Sequence, residues 1–221
     1  MAGEAVALMY LTGNRVKGTE QLLDSQTIGL LNTPKNNYRI NAGWVWAADN
    51  GCFGKGYPGD DEWLSWLHSF TDDQRSCCLF ATAPDVVGDH RKSLERSLPW
   101  LTVIKNLSYP VALVTQDGLA PDDVPWASVD WLFIGGTNEH KLGEEGKRLI
   151  EAALEREKKV HVGRVNSQRR FLAMAALGAS SVDGTFLGFG PDQNLPQLLA
   201  WQRHLDTQLT LLPLRTKDEH A

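Results

Sequence analysis

The sequence predicts an α/β fold, a compact (β/α)8 TIM barrel. Three observations point there. Eight short apolar runs recur along the chain, most of them separated by stretches of helical periodicity. The runs are nearly continuous in apolar residues, as in parallel strands covered on both faces, and do not alternate. Finally, 221 residues suit one small barrel of roughly 200–250 residues and leave no room for two full domains with separate cores. Residues 1–213 are therefore read as a single barrel, and residues 214–221 as a polar tail expected to fray.

The elements follow in order. Strands are expected at residues 5–11, 27–31, 44–48, 78–82, 111–115, 131–134, 160–162 and 180–182. Each is rich in Val, Leu, Ile, Trp or Phe and gives way to a polar residue or glycine. Residues 61–70 carry Trp63, Trp66, Leu67 and Phe70 at helical spacing, and residues 92–107 carry Leu94, Leu98, Leu101 and Ile104. Residues 144–157 repeat the pattern with Leu149, Ile150, Ala153 and Leu154. Residues 167–177 open on the capping residue Ser167 and close before Gly178. A last helix is expected over 197–205. Between the second and third strands, residues 32–43 show little helical pattern. No internal repeat or low-complexity tract is visible.

Composition narrows the function classes. A chain with 42% hydrophobic and 22% charged residues buries a sizeable core, which excludes a disordered class. The formal net charge of −5 is unlike that of a nonspecific nucleic-acid binder, so any such partner must meet a local basic patch. Cys52, Cys77 and Cys78 are odd in number with two adjacent, which fits neither a disulfide framework nor a zinc site. No apolar run reaches the ~18–20 residues of a membrane span, and the N-terminus lacks the basic flank of a signal peptide. The expectation is a cytoplasmic protein with no membrane partner. Eight tryptophans are expected mostly as core or wall residues.

Active sites of such barrels lie at the C-terminal ends of the strands. Asp49 and Asn50 follow the third run, Asp85 the fourth, Gln116 and Asp117 the fifth, Gly135 and Gly136 the sixth, Arg164 and Asn166 the seventh, and Asp183 the eighth. Turn chemistry places Asp, Asn and Gly after strands in any protein. It does not call for a carboxylate after each of three separate strands.

These residues resemble a known family, the queuine and archaeosine tRNA-guanine transglycosylases. The likeness is closer to their shorter phage-type relatives, which insert 7-deazaguanines into DNA. It spans roughly residues 46–195. Asp49-Asn-Gly-Cys-Phe-Gly54 stands where the family has Asp-Ser-Gly-Gly-Phe-Gln, and Pro84-Asp85 looks like its Phe-Asp. Thr115-Gln-Asp-Gly118 resembles its Val-Gln-Gly-Gly, and Ile134-Gly-Gly-Thr137 its Ile-Gly-Gly-Leu. His161-Val-Gly-Arg164 resembles Met-Gly-Val-Gly, and Gly178-Ala-Ser-Ser-Val-Asp183 resembles Gly-x-Asp-Met-Phe-Asp. Asn50, Cys52, Gly54, Asp117 and Thr137 depart from the tRNA enzymes, as does the Gly-Thr-Phe-Leu-Gly-Phe-Gly-Pro segment after Asp183. The Cys-x-Cys-x-x-Cys…His zinc subdomain that helps hold tRNA has no counterpart here, so DNA is the expected polymer and tRNA the less expected one.

The resemblance implies a glycosyltransferase that exchanges guanine in DNA for a free 7-deazaguanine base, with no metal or cofactor. Exchange with net retention needs an enzyme nucleophile, and by resemblance that is Asp183. Asp49 is the candidate general acid and base. Asp85 is suited to the N1–H and N2–H donors of guanine, and the Gln116 amide or the Gly136 backbone N–H to its O6. Gly135 and Gly136 would let the base approach the backbone, and Phe53 would supply a stacking wall. Arg164, Asn166, Arg169 and Arg170, with glycines 184, 188 and 190, are the candidates for phosphate contact in the loops after the last two strands. His161 reads as a packed core histidine, while Asp89, His90 and Asp117 lie near the mouth without an assigned role. Three other readings stand beside this one: the same exchange on tRNA, an inert nucleic-acid-binding subunit of a modification complex, and a barrel acting on a sugar phosphate. A homodimer and partner modification proteins are both compatible with the sequence.

Overall fold

A computed structural model describes residues 8–211. Residues 1–7 and the polar tail assigned to 214–221 lie outside them. Eight parallel strands pair in sequence order and close on themselves: β1 (Met9–Thr12), β2 (Gly29–Asn32), β3 (Trp46–Ala48), β4 (Cys78–Thr82), β5 (Val111–Val114), β6 (Trp131–Ile134), β7 (Lys159–Val162) and β8 (Ser181–Gly184). Closure runs through β1 against β8, with Met9 opposite Ser181 and Leu11 opposite Asp183. The fold is a (β/α)8 barrel, with every strand within two residues of the described part of its expected run.

The surrounding helices are α1 (Thr19–Asp24), α2 (Asp60–His68), α3 (Asp72–Ser76), α4 (His90–Asn106), α5 (Asn138–Leu142), α6 (Glu144–Glu155), α7 (Gln168–Ala176) and α8 (Pro191–Leu211). Two local signals behave as expected. The Ser167 hydroxyl accepts from the Arg170 N–H at the start of α7, and Gly178 takes up φ +85° just past its end. The short helices α1, α3 and α5 have no counterpart in the periodicity, since five or six residues hold too little pattern to register. Residues 33–45 form no helix. Their backbone is satisfied by side chains instead: the Asn32 amide both donates to Tyr38 O and accepts from Tyr38 N, and Gln74 Nε2 donates to Ile40 O. Between β5 and β6 only two short 3₁₀ turns, Pro121–Asp123 and Trp126–Ser128, take the place of a helix.

Two apolar layers result from the two-residue period of each strand. One set of side chains, including Leu30, Trp46, Leu113, Leu132, Val160 and Val182, points outward against the helices. Trp44, Trp46 and Trp63 are fully buried in this outer layer, and Trp46 packs on Phe70 with centroids 4.5 Å apart. The other set fills the barrel: Leu11, Leu31, Ala47, Phe80, Ala112, Trp131 and Phe133. Continuing that inner parity one step toward the strand C-termini gives Asp49 after Ala47, Gly135 after Phe133 and Asp183 after Ser181. Strand period alone therefore aims these positions at the barrel axis.

Candidate active site

A pocket opens at the C-terminal end of the barrel, with Leu31, Val114 and Phe133 as apolar lining from the barrel interior. Asp49, Asn50, Phe53, Asp85, Val87, Gln116, Gly135, Lys141, Gly163, Arg164 and Asp183 complete the lining. Seven of the sequence-derived candidates thus meet in one cavity: Asp49, Phe53, Asp85, Gln116, Gly135, Arg164 and Asp183.

Asp183 is held from two sides. His161 Nε2 lies 2.9 Å from Oδ2, and the Arg164 backbone N–H donates to Oδ1 at 3.1 Å. A carboxylate only accepts, so the histidine proton sits on Nε2, and Nδ1 faces the Ser181 hydroxyl at 2.8 Å. His161 is fully buried between Phe133 and Phe80, as a packed core histidine should be. The structure adds what the packed-core reading lacked, because the same ring positions Asp183. Arg164 adopts φ +61°, a left-handed conformation costly for a residue with a side chain, and from there its N–H reaches Asp183. Gly163 is required beside them, because a Cβ there would lie 2.8 Å from the Phe133 ring.

Asp49 receives an N–H from Gly51 at 3.2 Å. Burial pushes its carboxyl up to about 7, with the Gly51 bond opposing and the negative charges of Asp183 and Asp85 adding to the rise. It is therefore poised to hold or release a proton near neutrality. Asp85 is buried and accepts from Asn50 Nδ2 at 3.2 Å and from Gln116 Nε2 at 2.7 Å. Burial also raises Asp85 above the ordinary carboxylate range, against the hydrogen bond from Asn50. Gln116 is oriented in turn by the Gly88 N–H on its Oε1, 2.9 Å away. One amide hydrogen of Gln116 and lone pairs on Asp85 remain for a ligand, side by side. Asn50 is itself fixed: its N–H donates to Thr82 Oγ1, its Nδ2 to Ala83 O, and its Oδ1 accepts from Cys52 N.

The mouth carries exposed apolar side chains. Phe53 is 60% exposed and Val87 47% exposed, each on the rim of the cavity. Core packing is therefore not the role of Phe53. The Arg164 guanidinium lies 4.3 Å from the Phe53 ring centroid and donates to the Gly136 carbonyl.

Several expected contacts lie elsewhere. Gly135 is dictated by strand packing: a Cβ there would lie 2.6 Å from Thr115 O, and its N–H donates to Thr115 Oγ1. Gly136 is not part of the pocket lining. Its φ of +76° lets the chain turn over Asp117, whose carboxylate takes the Thr137 N–H and hydroxyl. Arg169 and Arg170 line an outer groove with Leu142, Lys147 and Met174, away from the mouth. Asn166 is exposed and joins the last two strand loops through Thr185. Asp89 caps α4, and His90 Nδ1 meets Asp117 O at 3.0 Å.

One charged pocket residue escaped the sequence reading. Lys141 is only 2% exposed, and its Nζ donates to Gly163 O at 2.8 Å. Burial brings its ammonium down to about 8, helped by the Arg164 charge and opposed by Asp183. Its sequence neighbourhood, Asn138–Leu142, gives no periodic signal that would bring a lysine inward. Among the described residues no group of three or more His, Cys, Asp or Glu side chains is placed to hold a metal ion. No helix among them is long and apolar enough to cross a membrane.

No family model matches the chain, and no curated protein does. Among solved structures, the chain is similar to a ligand-free TrpA mutant form of tryptophan synthase from M. tuberculosis. The TM-score is 0.55 at 14% identity over 94% of each chain. At that identity the likeness speaks to the fold alone, and the chain shares the barrel architecture of that enzyme.

Proposed function

We propose that the protein is a guanine transglycosylase that replaces guanine in a nucleic acid, DNA before tRNA, with a free 7-deazaguanine base. The observation that carries this reading is the order of groups around one pocket. Asp85 and Gln116 offer acceptors and a donor that match the N1–H, N2–H and O6 edge of guanine. Asp183 stands across the barrel, held by two donors, and Asp49, a carboxyl poised near 7, lines the same cavity.

In the proposed reaction the Asp183 carboxylate attacks C1′ of the flipped nucleoside, and the bond to the guanine nitrogen breaks. Asp49 gives its proton to the leaving base, so neutral guanine departs and Asp183 is left as a glycosyl ester. The incoming deazaguanine loses its ring N–H proton to Asp49, attacks C1′ and frees the Asp183 carboxylate. Two inversions give retention, and every proton is accounted for by one carboxyl group.

The test is mass spectrometry of nucleosides after incubating the purified protein with guanine-containing DNA, or tRNA, and a 7-deazaguanine base. Exchange in DNA is expected, with a trapped sugar adduct on the peptide that contains Asp183. Asp183→Ala should lower exchange by at least about a thousandfold. Full activity in that variant would remove the nucleophile assignment, and no exchange in either polymer would overturn the reading. Exchange in tRNA alone would move the proposal to the second polymer.

A further inference from the structure

The loop after β8 carries a side chain that neither the core nor the pocket uses. Phe189 is 75% exposed, more than any other large apolar side chain among the described residues, and it does not line the pocket. A lone exposed ring is ordinary on a protein surface. What sets this one apart is the backbone beneath it. The Phe189 N–H donates to Phe186 O at 3.3 Å, closing the turn Phe186–Gly188. Asn194 in α8 donates to Phe186 O at 2.7 Å and also to Phe189 O. Gly188 passes so close to Asn14, after β1, that a Cβ would lie 2.9 Å from its Nδ2. The chain is thus tied to α8 and seated against the loop after β1, while the ring is left in water. Beside it Gly190 borders open space, since a Cβ there would meet nothing within 4 Å.

The position of the sugar gives this ring a role. In the exchange Asp183, on β8, meets C1′, so the flipped nucleotide hangs from the polymer over the end of β8. The loop after β8 is the part of the rim that faces the rest of the duplex. Resting on the transglycosylase reading, we propose that Phe189 is a wedge: its ring enters the base stack of duplex DNA at the step that the extruded guanine vacates. Extrusion leaves the neighbouring bases without a stacking partner, and an apolar ring in the gap replaces it. The tied backbone already holds the ring out, so little ordering is left to do when DNA binds. Glycines 188 and 190 put no side chain in the way of the flanking bases. Phe53, beside Arg164 on the pocket rim, covers the extruded base, and Phe189 fills the hole it leaves.

A wedge matters only where there is a stack to enter, so the test compares two DNAs. Exchange of a 7-deazaguanine base by the full chain is measured on a duplex and on its guanine-containing strand alone. Phe189→Ala is expected to lower kcat/KM on the duplex by at least about tenfold and on the single strand by less than about twofold. The KM for the free base and the melting temperature should stay as in wild type, because the ring touches neither the pocket nor the core. Phe189→Leu, which still offers an apolar wedge, should recover most of the duplex activity. An equal fall on both DNAs, an unchanged rate on the duplex, or wild-type exchange confined to the single strand overturns the wedge while leaving the transglycosylase reading intact. Exchange by the wild type in neither DNA removes the DNA reading together with the inference.

Discussion

Single side chains divide the work at the pocket by their surroundings. Asp49, just after β3, lines the same cavity as Asp183 of β8, and its carboxyl is lifted to about 7, first by burial and then by its two carboxylate neighbours. The rise has a sign for stability. Between the ordinary aspartate range and pH 7 the folded protein binds the proton that the unfolded chain releases, so stability falls as pH rises through that window. Asp49→Asn is therefore expected to be more stable than wild type at pH 8 in thermal unfolding, with the advantage gone by pH 4. In the same variant the limb of the pH–rate profile near 7 should disappear along with most of the exchange activity. Phe53 gives a different kind of expectation. Because it is exposed, Phe53→Ala should leave the melting temperature unchanged. Losing one stacking partner for a base is worth about 1–3 kcal/mol, so base affinity should fall by roughly 5- to 150-fold in titration calorimetry.

At the scale of elements, strand period and register build the site. β7 pairs with β8 so that His161 lies opposite Ser181, and this brings the imidazole beside the carboxylate two residues farther along β8. A slip of β8 by one residue would turn Ser181 and Asp183 outward into the helix layer and leave His161 without its partner. His161→Leu fills the same space without a donor and leaves Asp183 with Arg164 N–H alone. It should lower kcat by at least about tenfold with little change in KM, and His161→Gln, which keeps a donor, should recover part of the loss. An equal rise of KM and fall of kcat would indicate a collapsed pocket and sink the positioning role. The loop from Asp49 to Phe53 is built the same way. Asn50 ties its backbone to β4 through Thr82 and Ala83, which leaves the Phe53 ring in solvent at the rim.

For the whole molecule, charge is the governing constraint. A chain with net charge −5 repels a polyanion except where cations are concentrated. The mouth offers Arg164 and the buried Lys141, whereas Arg169 and Arg170 serve a groove elsewhere. Nucleic-acid affinity should therefore depend only weakly on salt. A plot of log K against log salt is expected to have a slope near that of two or three neutralised phosphates, and Arg164→Ala should reduce its magnitude by about one. A steep slope, unchanged in that variant, would place the polymer on a different face.

The sequence by itself determined the barrel, because eight continuous apolar runs need cover on both faces and parallel strands joined by helices provide it. It also determined which strand ends carry Asp49, Asp85, Gln116, Gly135, Arg164 and Asp183, since polar residues directly after a buried strand are legible from local pattern alone. Only the tertiary structure decided which of these act together and how. His161 looked like core because it is core, and its hold on Asp183 depends on a pairing register that no single run contains. Lys141 was hidden because a five-residue helix has no period to read and its partner, Gly163, is 22 residues away. Arg169 and Arg170 follow the right strand but sit on a helix whose facing is set by packing against its neighbours. Residues that follow a strand inherit its direction from the chain, whereas those that reach the pocket from helices and from across the barrel owe their place to packing.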